Sequence, residues 1–401
     1  MKKRTKMWCS SPVTRSLSRK AAVIGSFASL LLLPEISAGA GTTLRQTIMA
    51  ELRYDTNASI AAEGEQTGDD FTLLLAPDFQ AINQRNKLAL TANYRPTGYF
   101  YFQNPDLNTI SHSGFLAADY NFSAQTSISA EERLIYSRES LETTLIGLQN
   151  QRSAIWTNTI ILSVNHRLTH KTGITLSASD NILKFDNPVS VDSRNDSGSI
   201  GLNYQATPET QLNGSYNFSH VNYDLPGGAS SSQSTHSLNA GFNTRFRETA
   251  TLLLSAGAVY ADAAGMGDGF FDWLAAAEVR KAWPKYSANL NYTRRTTSSS
   301  GVTDQLTLND SISAGLNHEI NRNLDISIFG SYTHNYTKPI TILDTTAYST
   351  GASGIWQMRE WLSLGLGFSH FKQESDGLLG GDIERDHIFV NVNMTTYEGR
   401  L

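Results

Sequence analysis

Leu324-Asp325-Ile326-Ser327-Ile328-Phe329-Gly330-Ser331-Tyr332-Thr333-His334 alternates between two kinds of residue. Leu324, Ile326, Ile328, Gly330 and Tyr332 share one face of an extended chain, and Asp325, Ser327, Phe329, Ser331 and Thr333 share the other, because successive strand side chains point to opposite sides. A helix would need a 3.6-residue period, and these residues lack it. The pattern recurs along the chain. Leu362, Leu364, Leu366 and Phe368 alternate with Ser363, Gly365, Gly367 and Ser369; Ala288, Leu290 and Tyr292 alternate with Ser287, Asn289, Asn291 and Thr293. Near the C-terminus, Ile388, Val390, Val392 and Met394 alternate with Phe389, Asn391, Asn393 and Thr395. From Gly41 onward the sequence is a succession of such segments, roughly 10 to 14 residues each, the signature of strands with one face in lipid.

The connections fall into two alternating classes. Short polar turns are read at Asn83–Asn86, Ser123–Gln125, Thr169–Thr172, Thr207–Thr210, Arg247–Thr249, Trp283–Lys285, Asn321–Asn323 and Arg359–Glu360. Longer Gly-, Ser- and Asp-rich stretches lie between them, among them Asn57–Asp69, Glu142–Gln151, Leu225–Ser234 and Glu374–Glu384. Transmembrane barrels combine short periplasmic turns with longer external loops. The expected fold is therefore all-β: a closed antiparallel transmembrane β-barrel of about 18 strands, with 16 as the alternative count. Both termini are expected on the periplasmic side. Closure follows from the solvent, since an open edge in lipid leaves backbone groups unpaired at several kcal/mol each. A soluble barrel of this size would need a large apolar core, and here the second face carries Asn, Ser, Thr, Gly and charges. Tyr94, Tyr136, Tyr204, Tyr216, Tyr292 and Tyr332 sit near segment ends on the apolar face, as an interfacial aromatic girdle requires. Pro77 and Pro96 fall inside strands and predict bulges or strand ends. Glu132 and Asp180 fall on the lipid face, which implies a register slip or an interfacial position.

Residues 1–40 read as a cleaved signal peptide and 41–401 as the barrel domain. Ala21–Leu33 is too short to span a bilayer; Lys2, Lys3, Arg4, Lys6, Arg15, Arg19 and Lys20 precede it, and Pro34, Ala38 and Ala40 follow. Cleavage is expected after Ala40. Removing the leader leaves 25 basic and 36 acidic residues, a net charge of −11 against −5 for the whole chain, which argues against nucleic acid as a partner. Cys9 is the only cysteine and leaves with the leader, so no disulfide or thiolate metal site is expected.

No catalytic motif stands out: there is no GxSxG, no HExxH and no phosphate-binding Gly loop. No enzyme activity and no cofactor or metal are expected. His166, His318 and His334 read as interfacial residues of the lipid face. The informative charges point inward. By the alternation, Arg45, Arg53, Lys87, Arg95, Arg133, Arg167, Arg245, Arg280 and Arg295 face the lumen, as do Glu51, Glu131, Glu278, Glu319, Asp78, Asp272 and Asp325. Such charges tune pore selectivity, or else pair across strands and brace the wall. Their near balance of sign predicts weak ion selectivity.

The stretch from Asp70 to Arg138 resembles the putative β-barrel porin 2 family, in its branch associated with exosortase and exopolysaccharide loci. The resemblance rests on Asp70-Phe71-Thr72-Leu73-Leu74-Leu75-Ala76-Pro77, Lys87-Leu88-Ala89-Leu90, Gly98-Tyr99-Phe100-Tyr101-Phe102, the loop around Asp106, Asp119-Tyr120-Asn121-Phe122 and the Ser127-to-Tyr136 strand. It implies a cell outer-membrane protein linked to surface polysaccharide production or export, and it supplies no active site. One departure concerns the C-terminus: Tyr397 is followed by Glu398-Gly399-Arg400-Leu401, where such barrels end on an aromatic strand terminus. The reading is a porin-like channel, with a plugged structural or adhesion barrel as the alternative and an enzyme acting on lipid or polysaccharide behind both. The expected partners are outer-membrane lipid, the outer-membrane assembly machinery, and polysaccharide or small solutes as cargo.

Overall fold

The computed structural model describes residues 41–60, 68–139, 153–188, 190–247, 249–263, 269–298, 303–379 and 381–400. The leader, its cleavage point, Cys9 and the loop Glu142–Gln151 lie outside these residues. Eighteen strands carry the fold. The first six are β1 (Thr42–Asp55), β2 (Asp70–Gln84), β3 (Leu88–Tyr101), β4 (Thr109–Asn121), β5 (Thr126–Ser137) and β6 (Ile155–Arg167). They are followed by β7 (Thr172–Phe185), β8 (Asp192–Gln205), β9 (Thr210–Asp224), β10 (Ser230–Phe246), β11 (Ala250–Ala263) and β12 (Phe270–Ala282). The last are β13 (Tyr286–Ser298), β14 (Leu306–Asn321), β15 (Leu324–Lys338), β16 (Asp344–Arg359), β17 (Leu362–Ser375) and β18 (Ile383–Arg400). Each pairs antiparallel with its successor, and β18 pairs with β1, so the sheet closes. The count of 18 holds over 16, and each of the eight short turns read from the sequence coincides, to within two residues, with a connection between strands. Both ends of the described barrel lie with those turns, since Thr42 pairs with Asn83 and Thr43 with Arg400.

The outward face is apolar and unburied. Leu238 is 65% exposed, Leu366 59%, Leu290 53% and Ile328 52%, a belt that only lipid can cover. Tyrosines and histidines pair along its upper edge, toward the longer loops. Tyr94 Oη lies 2.8 Å from His112 Nδ1, and Tyr216 Oη 2.8 Å from His236 Nδ1. At the short-turn edge the rings of Tyr286 and His318 stack at 4.2 Å. These amphipathic rings suit the membrane–water boundary. The sequence pattern shows the tyrosines and His318 at the interface, and misses His112 and His236.

Three bulges lie at the short-turn end, next to Glu319, Gln357 and Gln46. The last matters most. Gln46 pairs with Tyr397 but Thr47 with Thr395, so Thr396 is an extra residue. An extra residue reverses the alternation beyond it. Val392 and Met394 face outward as even positions, yet Tyr397 also faces outward and is 47% exposed. Glu398 turns inward, 4.0 Å from Arg45. The four-residue tail is thus not an overhang: β18 continues through Arg400 and still presents an aromatic to the membrane.

No register slip explains Glu132 and Asp180. Glu132 pairs with Leu116 and Ile160, and Asp180 with Ile160 and Asp196, in unbroken ladders. Both point outward. Asn158 Nδ2 donates to Glu132 at 3.1 Å, and Arg194 Nη2 donates to Asp180 at 2.5 Å, so neighbouring strands supply partners at the membrane face.

Candidate functional site

The lumen is the concave surface that barrel closure creates, and it divides into three levels. At the short-turn mouth the inward charges are exposed: Arg45, Arg167, Arg245, Arg280, Glu319 and Asp325. Glu319 and Asp325 are directly opposite one another. Two like charges so placed are destabilising on a dry face, and hydration of the mouth makes them tolerable. Lys87 departs from the expectation. β3 begins at Leu88, and Arg85 N–H donates to the Leu88 carbonyl to close the turn, so Lys87 is an exposed turn residue outside the wall.

At the mouth (Arg280) and above it (Arg53 and Arg133), predicted arginines meet carboxylates two residues earlier on their own strands. Arg53 binds Glu51 at 2.7 Å, Arg133 binds Glu131, and Arg280 binds Glu278. Residues i and i+2 share a face of a strand, so a Glu-x-Arg tripeptide neutralises itself wherever it occurs. Arg95 differs: among the described residues its guanidinium meets Met49 Sδ, at 3.8 Å, while Asp78 takes Asn93 Nδ2 at 2.7 Å. Arg295 lies opposite Asn309. Between the charged groups, the wall is lined by neutral cross-strand pairs: Ser177 with Ser199 at 2.6 Å, Ser179 with Ser197 at 2.7 Å, Asn181 with Thr159 at 2.7 Å, and Ser219 with Asn195 at 2.6 Å.

Toward the long loops the inward face changes character. On strand after strand the last inward side chains are withdrawn from solvent, including Leu74, Tyr101, Tyr223, Gln233, Asn335 and Gln373, each 5% exposed or less. Ala58, Leu74, Tyr99 and Tyr101 form one buried apolar cluster with Leu107 against it, and Val191, Val221 and Tyr223 form another with Leu225. A barrel wall buried on its inner side is packed there rather than water-filled. Among the described residues, the regular elements make their extensive contacts with sheet neighbours, and a short 3-10 helix (Pro105–Leu107) lies beside β3.

Sequence reasoning missed the tightest ionic group. Arg385 donates from Nε to both Asp55 oxygens at 2.9 and 3.0 Å, and from Nη2 as well. His387 Nε2 is 3.2 Å from the same carboxylate. The three come from β1 and β18 and lock the strand pair that closes the barrel. No local motif could reveal a contact spanning 330 positions. Asp272 corrects another expectation. It lies where β12 and β13 part, since their ladder begins only at Ala275 and Arg294. Its carboxylate binds Arg294 at 3.0 Å and also Lys338, both at outward positions, so it is drawn out of the lumen set. Arg294 also binds Asp310 at 2.6 Å and lies over the Trp273 ring. Among the described residues no three His, Cys, Asp or Glu side chains converge as a metal site.

No family model matches the chain, and no curated protein matches it in sequence. Solved structures do match in shape. OccAB3 of Acinetobacter baumannii aligns with a TM-score of 0.50 at 9% identity, covering 89% of this chain and 99% of its own. OpdO of Pseudomonas aeruginosa aligns with a TM-score of 0.50 at 8% identity, covering 89% and 98%. The outer membrane protein opdK of Pseudomonas aeruginosa aligns at 0.46 with 9% identity, covering 88% and 99%. The fold is therefore that of porin-like outer-membrane barrels. A closed even-stranded barrel wearing an exposed apolar belt belongs in the outer membrane.

Proposed function

We propose that this barrel is a passive channel for uncharged polar solutes, working in surface polysaccharide production or export. The observation that carries the reading is the chemistry of the mid-lumen wall. Glu131 and Arg133 cancel there, and hydroxyl and amide groups paired across strands line much of the remaining wall. Such a wall offers exchangeable hydrogen bonds without a net field, which suits sugars better than ions. The link to polysaccharide rests on the resemblance of Asp70–Arg138 to the porin 2 family. In this reading the partners are outer-membrane lipid at the belt and the outer-membrane assembly machinery. The test is osmotic swelling of vesicles holding the folded protein. Neutral mono- and disaccharides should enter faster than charged solutes of equal size, and entry of neither would overturn the proposal.

The buried upper layer favours a second reading, a structural barrel held shut by its own packing. Folded protein that admits no solute at all would favour that account.

A further inference from the structure

The wall has a flaw between β2 and β3. They are paired from Thr72–Tyr101 to Leu75–Gly98 and again, in the same register, from Phe79–Tyr94 to Gln84–Ala89. The three opposed positions between, Ala76–Thr97, Pro77–Pro96 and Asp78–Arg95, are unpaired. Both strands stay paired on their other sides, β2 to β1 through Pro77 and β3 to β4 through Pro96. Proline has no N–H. Two prolines facing one another at a doubly bonded ladder position remove both donors and leave both carbonyls without a partner, and losing one such pair interrupts three successive positions. In lipid each unmet backbone group costs several kcal/mol, so a closed barrel has reason to avoid this pairing.

The flaw coincides with three other features. It lies where the lumen passes from wet to packed: Ala76 is 1% and Thr97 5% exposed, whereas Asp78 and Arg95 just below are partly open. The wall behind it is apolar on its upper side, with Met49 opposite Ala76 and the Leu74–Tyr99 cluster above. On its lower side stands Arg95, with no carboxylate of the described residues within ion-pair distance. Outside, Leu75, Phe79 and Phe100 are exposed to the membrane.

We propose that the Pro77–Pro96 seam is a lateral port, through which a single-chain anionic amphipath passes between the lumen and the membrane. Arg95 binds the anionic head while the hydrocarbon tail lies across Met49 and leaves between the strands. The port goes beyond the sugar channel and stands or falls separately from it.

The probe is palmitate, offered to full-length protein folded in vesicles, with transfer from lumen-side solution to lipid followed by fluorescence. Pro77→Val/Pro96→Val returns two N–H donors to the ladder and should slow transfer by about tenfold or more while sugar entry is unchanged. Arg95→Gln removes the head's charge-assisted hydrogen bonds and should weaken palmitate binding by about tenfold or more, with heat-modifiable gel mobility confirming the fold. Transfer that survives the proline replacements, or palmitate binding indifferent to Arg95, overturns the port. If sugar entry is also absent but transfer responds to both variants, the port stands and the channel falls.

Discussion

Replacing Asp55 with alanine should unlock the barrel's closing strand pair. The Asp55 and Arg385 side chains are 2% and 1% exposed, and Arg385 spends both Nε and Nη2 on this carboxylate. Asp55 also accepts from the Asn57 backbone N–H at 3.0 Å. An exposed ion pair would contribute about 0–1 kcal/mol. Here burial decides the size of the effect: removing one partner takes from a buried guanidinium the carboxylate that balances its charge, which costs about 3–5 kcal/mol. Replacing both partners with apolar groups of similar volume should cost far less, because no buried charge is stranded. Urea unfolding of vesicle-folded Asp55→Ala, followed by tryptophan fluorescence, should therefore show a large loss of stability that Asp55→Leu/Arg385→Met largely restores. A loss below about 1 kcal/mol for the single variant, or a double variant no better than the single, would refute the argument that the seam depends on this pair.

Two further expectations concern charge and register. Arg133 is 60% exposed and neutralised by Glu131, so Glu131→Gln should free a lumen cation and move the reversal potential toward anion selectivity; Arg133→Gln added to it should return the wild-type value, and an unmoved potential would contradict the pairing. Deleting Thr396 removes the bulge and joins Tyr397 directly to inward-facing Thr395, so Tyr397 still faces lipid opposite Gln46 and Glu398 still faces the lumen opposite Arg45. The folded fraction after assembly, measured as heat-modifiable mobility, should therefore stay near wild type, whereas Tyr397→Asp, which puts a charge on the lipid face, should lower it several-fold; a deletion as damaging as Tyr397→Asp would contradict the register.

Much of the architecture is legible in the sequence because a barrel strand repeats one rule. Period-2 alternation and two loop classes are enough to count the strands and to place the eight short turns to within two residues. Parity fails where geometry changes it. Thr396 inverts the alternation, Lys87 belongs to a turn, and Asp272 escapes inward placement because its strand leaves its neighbour. Contacts across the closure are illegible for a different reason: Asp55 and Arg385 are neighbours only once the barrel shuts. Pro77 and Pro96 are visible as anomalies singly, but their opposition depends on the β2–β3 register. The packed upper lumen is hidden altogether, since alternation says which way a side chain points and not what lies over it.

The hydrated, locally neutral mid-lumen is the centre of the account, and single-channel recording in a planar bilayer tests it most directly. Folded protein should conduct in discrete steps with weak ion selectivity, and a neutral oligosaccharide should block them reversibly. Steps that are absent from folded protein under every voltage and salt condition, or that are strongly selective and indifferent to sugar, would contradict it.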